Sequence, residues 1–116
     1  MNFVDSVKTV YGNYANFSGR ARRSEYWWWF LFQIVIALVL LLVEGGTTGI
    51  LGIIWSLANL VPGIAVGVRR LHDLDKTGWW LLIALVPFVG AILLIYWFAS
   101  EGTRQSNQYG DDPLAA

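Results

Sequence analysis

Two polar runs carry the residue types that could do chemistry. One is FSGRARRSEYW, Phe17–Trp27, and the other is RRLHDLDKTGWW, Arg69–Trp80. Each joins arginines to the tryptophan-rich start of an apolar stretch. A guanidinium is a planar fork matched to carboxylate and phosphate oxygens. Arg20, Arg22, Arg23, Arg69 and Arg70 therefore suit either the carboxylates Glu25, Asp73 and Asp75, met across the cytoplasmic end of the bundle, or an anionic headgroup. On a helix, Arg69 and Asp73 would stand four residues apart on one face. His72 is the only histidine, and imidazole can serve as general base or metal ligand. A zinc site needs three or four protein ligands drawn largely from Cys and His. With no cysteine and one histidine, no metal site is expected, and no other cofactor is implied. A Ser24–His72–Asp73 triad can be drawn, but no nucleophile elbow or oxyanion-hole motif frames it, so no catalytic residue is assigned. Three readings remain for these runs: a salt-bridge collar fixing helix ends, an anionic headgroup site, or a docking surface for a membrane protein. The binding set in the latter two is Arg20, Arg23, Trp27, Arg69, Arg70, His72, Asp73 and Trp79. The alternative from another class is a membrane-embedded enzyme that acts on a lipid or envelope intermediate through His72 and Asp73.

The elements that must position these residues are apolar. Of 116 residues, 56% are hydrophobic and 14% charged, against about 45–50% and about 25% in ordinary soluble domains. The excess lies in Tyr26–Val43, Ile50–Val68 and Trp79–Phe98. Each run is close to the about 20 residues a helix needs to cross a bilayer core of roughly 30 Å. The composition excludes a soluble globule and, without cysteine, a disulfide scaffold. Equal numbers of acidic and basic residues argue against a nucleic-acid binder. The expected architecture is an all-α membrane protein. One integral domain, 1–116, would hold three transmembrane helices, 26–43, 50–68 and 79–98, in an up-down-up bundle. A cytoplasmic segment, 1–25, precedes them and a polar tail, 99–116, follows. Within that first segment Phe3, Val4, Val7, Val10, Tyr11 and Tyr14 recur at spacings of three and four. They form one stripe on a short helix, lying in the membrane interface or packed on the end of the bundle. With no apolar leader before it, the first span is expected to be a retained anchor.

Charge placement gives sidedness. Three crossings would put seven of the eight Lys/Arg residues on one side, which the positive-inside rule assigns to the cytoplasm. The N-terminus and the Arg69–Gly78 loop are then cytoplasmic, while the Glu44–Gly49 loop and the tail face outward. Trp27–Trp29 and Trp79–Trp80 would mark the cytoplasmic interface, and Tyr96–Phe98 the opposite one. Gly45, Gly46 and Gly49 suit a tight turn. Within the spans, Gln33 and Asn59 are expected to face the bundle and pair, there or with a second copy. Gly63 and Gly67 form a small-xxx-small pair, and Pro62 and Pro87 are expected to kink their helices. No ionisable residue lies inside a span, which argues against a proton or ion pathway.

These motifs in this order, with Pro87 and Gly90 in the third apolar run and EGTRQSNQYGDDP at the tail, resemble domain-of-unknown-function family 805, a family of small bacterial inner-membrane proteins. The resemblance spans about Asn2–Pro113. It rests on Phe17, Gly19, Arg20, Arg23, Tyr26 and Trp27, on Arg69–Asp73, Gly78 and Trp79, and on Gly102, Asn107, Tyr109, Gly110 and Pro113. It implies a helical domain in the bacterial cytoplasmic membrane. The expected partners are membrane lipids, anionic ones included, a second copy or a membrane protein, and no nucleic acid. The resemblance also raises a conflict, because a tail that works with the two basic motifs must share their side. That would require one apolar run to be re-entrant, with the Pro87–Gly90 run as the candidate.

Overall fold

The computed structural model describes residues 2–47, 49–110 and 113. The acidic pair Asp111–Asp112 of the tail motif lies outside them. Among the described residues the fold is helical, with one isolated bridge between Asn107 and Gly110. The helices are α1 (Phe3–Gly12), α2 (Arg23–Val43), α3 (Ile50–Ala58), α4 (Leu60–Asp73) and α5 (Val89–Ala99), with a 3₁₀ segment at Gly78–Leu85 between the last two.

The Asn2 side chain accepts the Asp5 N–H at 2.8 Å and starts α1. The apolar stripe of α1 is packed on the bundle. Val10 joins Ala21, Trp29 and Val66 in one buried cluster, and the Phe3 ring meets Trp28 and Phe32 at 5.9 and 6.0 Å.

Helix α2 has 21 residues, a length of about 31 Å, and is long and apolar enough to cross a membrane. It ends in a turn at Gly45 and Gly46, whose φ values of 81° and 90° cost glycine nothing. The Glu44 carboxylate then accepts the N–H groups of Gly49, Leu51 and Gly52 at 3.0–3.2 Å. It thereby caps the free donors at the start of α3.

The second apolar run is two helices bent by 41°, which together have the length and composition of one span. The break falls at Asn59, three residues before the expected kink at Pro62. Proline fits the first turn of a helix because its missing N–H is not needed there. The carbonyl it leaves without a helical donor is that of Ala58, four residues back, and the Tyr14 hydroxyl donates to that oxygen. Asn59 itself is held by Tyr11 and by Gln33 Nε2, the latter at 3.3 Å, while Trp55 Nε1 donates to Gln33 at 2.9 Å. The expected Gln33–Asn59 pair thus forms within one chain. The two small residues of α4 admit different neighbours: a Cβ at Gly63 would lie 3.1 Å from the Trp29 ring, and one at Gly67 would lie 3.2 Å from Leu81.

The expectation of a continuous helix over 79–98 is corrected. Pro87 pushes the preceding Val86 to an extended conformation, φ −87° and ψ 110°, as the ring of a following proline does. Phe88 then takes φ +64°, and the chain folds back as a hairpin. Its arms touch so closely that a Cβ on Gly90 would lie 1.7 Å from the Ile83 carbonyl oxygen. Both ends of the hairpin reach the same end of α4. Gly78 sits against Val68, and the Phe98 carbonyl accepts Arg70 Nε at 3.1 Å. Trp97 and Phe98 consequently lie beside Trp80 and Trp27, not at an opposite boundary.

Candidate functional site: a polar latch at the end of the bundle

The C-terminal turn of α4 presents Arg69, Arg70, His72 and Asp73, and all four are buried. They are covered by the loop before α2 and by the tail after α5. Main-chain bonds fasten both covers: Ala21 N–H donates to the Arg69 carbonyl at 2.9 Å, and Thr103 N–H to the Asp73 carbonyl at 2.7 Å.

Asp73 is the centre. Its carboxylate takes Arg20 from the first motif at 2.9 Å and Arg70 from its own helix at 2.5 Å. The expected Arg69–Asp73 pair does not form, because Arg69 turns to Glu25 on α2 at 2.6 Å. Arg69 Nε and Nη2 have no partner among the described residues. Arg70 is fully buried and spends its remaining donors on the carbonyls of Phe98, Ala21 and Ser100. Arg20 reaches the tail carbonyls of Gln105 at 2.7 Å, Gly110 at 3.3 Å and Thr103. Two guanidiniums and one carboxylate thus stitch three distant pieces of chain together. Gly102 is required here, since a Cβ would sit 1.9 Å from Asp73 Oδ2.

His72 occupies the next position out, past the apolar part of α4 that ends at Val68. Its Nδ1 lies 2.9 Å from the Gly19 carbonyl oxygen. That oxygen can only accept, so Nδ1 carries the proton. The ring stacks on Tyr109 at 3.9 Å and 1°, and Asn107 Nδ2 donates to the His72 carbonyl at 3.0 Å. Burial lowers the His72 pKa below its ordinary value, and the bond to Gly19 offsets only part of that. The hydrogen bonds of Asp73 go to Arg20 and Arg70, and that of the His72 ring goes to Gly19. Among the described residues, the His72 ring and the Asp73 carboxylate are thus bonded to different partners and not to each other.

The other sequence candidates lie toward the rim. Arg23 is exposed and donates to the Ala99 carbonyl at 3.1 Å, and Trp27 Nε1 donates to the Phe98 carbonyl at 3.1 Å. Trp79 is 78% exposed. Arg22, grouped by the sequence with the collar arginines but not with the binding set, reaches the Pro113 carbonyl at 2.7 Å. Arg22, Arg23 and Ser24 line a cleft of about 180 Å³ with Asp73 and Gly102. Sequence reasoning missed the carbonyl acceptors of the tail, which leave no mark in residue type.

Fold and latch together define a small helical protein with an apolar exterior, one polar end and a folded-back final apolar run. The chain belongs to the family described as "Protein of unknown function (DUF805)", whose model matches residues 14–111. It is 41% identical over 108 residues to inner membrane protein YhaI of Escherichia coli (strain K12), covering 90% of this chain and 92% of that protein. It is 40% identical over 117 residues to inner membrane protein YhaH of the same organism, covering 95% and 97%. No solved structure matches the chain.

Proposed function

We propose that this chain is a non-enzymatic protein of the bacterial inner membrane that crosses it twice. The crossings are α2 and the apolar part of the bent α3–α4 pair, which ends at Val68, and the final apolar run is a re-entrant hairpin. The latch then faces the cytoplasm together with the N-terminus and the tail. The names of its relatives support the location, and the excess of arginine at the latch end supports the orientation. The latch holds the architecture, and the cations it leaves at its rim contact anionic lipid headgroups.

One observation carries the headgroup reading. Arg20, Arg69 and Arg70 are each ion-paired to an internal carboxylate, whereas Arg22 and Arg23 meet main-chain carbonyls, pair with no carboxylate among the described residues, and line a cleft at the start of α2 near Trp27 and Trp28. Each basic residue near an anionic surface contributes about 1 kcal/mol. The test is native mass spectrometry of the protein released from nanodiscs containing anionic phospholipid. A retained anionic lipid, lost in Arg22→Gln/Arg23→Gln while the fold persists, supports the reading. Equal retention in that variant overturns it. Arg69→Ala/Arg70→Ala is expected to lower the folded yield instead.

A further inference from the structure

A cavity of about 820 Å³ forms a groove between α4 and the 3₁₀ arm of the hairpin. Leu60, Ile64, Val68 and His72 form its α4 wall. They stand four residues apart, on one face of one helix. The stripe spans about 18 Å at 1.5 Å per residue. Leu81, Leu82 and Leu85 form the opposite wall. The groove is therefore long and hydrocarbon-lined, and it runs from mid-molecule to the polar latch. Among the described residues His72 is its one titratable side chain, and it sits at the latch end.

His72 is oriented by contacts outside the groove. Nδ1 donates to Gly19, and one ring face is covered by Tyr109. With the proton on Nδ1, the other ring nitrogen, Nε2, is an acceptor. The neighbouring Arg20–Asp73–Arg70 cluster sets two guanidiniums against one carboxylate, a surplus of positive charge that disfavours an ammonium group at that end. A neutral acceptor beside surplus positive charge selects an uncharged donor, and in a lipid headgroup that donor is a hydroxyl.

We propose that this groove holds one acyl chain of a phospholipid with a glycerol headgroup, whose hydroxyl donates to Nε2 of His72. The inference rests on the membrane embedding proposed above. It does not depend on the cleft at Arg22 and Arg23.

The test uses the full chain in phosphatidylethanolamine vesicles containing a minority of phosphatidylglycerol with a photoactivatable acyl chain. A parallel set carries the same photoactivatable chain on phosphatidylethanolamine. Adducts are mapped by peptide mass spectrometry. With the glycerol lipid, adducts are expected on Ile64, Val68 and Leu82 severalfold above those on Leu38 and Leu42, which lie on the exposed face of α2. Ala84→Trp, which adds bulk at the groove lining, is expected to lower the groove adducts severalfold. His72→Phe is expected to keep the acyl adducts and abolish the preference for glycerol over ethanolamine headgroups. Equal labelling of groove and α2 face overturns the proposal, as does a headgroup preference that survives His72→Phe. Arg22→Gln/Arg23→Gln is expected to leave groove labelling intact, so loss of the rim site and loss of the groove site are read separately.

Discussion

At the scale of single residues, Asp73 carries the most consequence. Its carboxylate pairs with both Arg20 and Arg70, and its carbonyl holds Thr103. Removing one partner of a buried ion pair leaves an uncompensated charge and costs about 3–5 kcal/mol. Asp73→Ala is therefore expected to destabilise by about that amount, read as a lowered thermal midpoint of tryptophan fluorescence in detergent. His72→Phe, which keeps an aromatic ring for Tyr109 to stack on, is expected to cost less. An Asp73→Ala protein as stable as the parent would remove the latch from the account. The participants Arg20, Arg70, His72 and Asp73 were legible in the sequence as residue types clustered at span ends. Which arginine takes which carboxylate was not, because the helical spacing rule ranks only partners on the same helix. It cannot register that Glu25 approaches Arg69 across the bundle, or that Arg20 displaces Arg69 at Asp73.

At the scale of elements, each departure from a regular helix has its own compensating group. Tyr14 answers the carbonyl that Pro62 leaves free, and Glu44 answers the free donors of α3. Desolvation raises the pKa of the Glu44 carboxyl, but the three backbone donors outweigh it and hold the value below the ordinary carboxylate range. A depressed carboxyl pKa contributes stability that is present above about pH 4.3 and lost as pH falls through the folded value. His72, also depressed, contributes stability that is present above about pH 6.5 and lost as pH falls below it. Two acid-labile steps are expected in a stability profile, one near the histidine range and one in the carboxylate range. His72→Phe should abolish the upper step, and Glu44→Gln the lower, measured as thermal midpoint against pH. A profile unchanged by either substitution would contradict these assignments. The apolar runs were legible because periodicity and charge exclusion are properties of the sequence itself. The fold-back at Pro87 was legible only as a conflict between the tail motif and an odd number of crossings. Proline marks a break in a helix but does not state the angle that follows it.

At the scale of the molecule, the arrangement follows from one constraint. The tail carbonyls must reach Arg20 and Arg70, so the run before them has to return to the end from which it departed. Close contact at Gly90–Ile83 and Gly78–Val68 makes that return sterically feasible, since a helix-spanning alternative would carry Phe98 away from Arg70. The account's central claim is that N-terminus and tail share one side of the membrane. The chain has no cysteine, so single reporters can be placed at will. Ala15→Cys, Thr47→Cys and Gln108→Cys, probed in cells with a membrane-impermeant maleimide, test it most directly. The account predicts that Thr47→Cys labels in cells with a permeabilised outer membrane, and that Ala15→Cys and Gln108→Cys label only after the inner membrane is opened. Labelling of Gln108→Cys together with Thr47→Cys would contradict it, and would restore a third crossing.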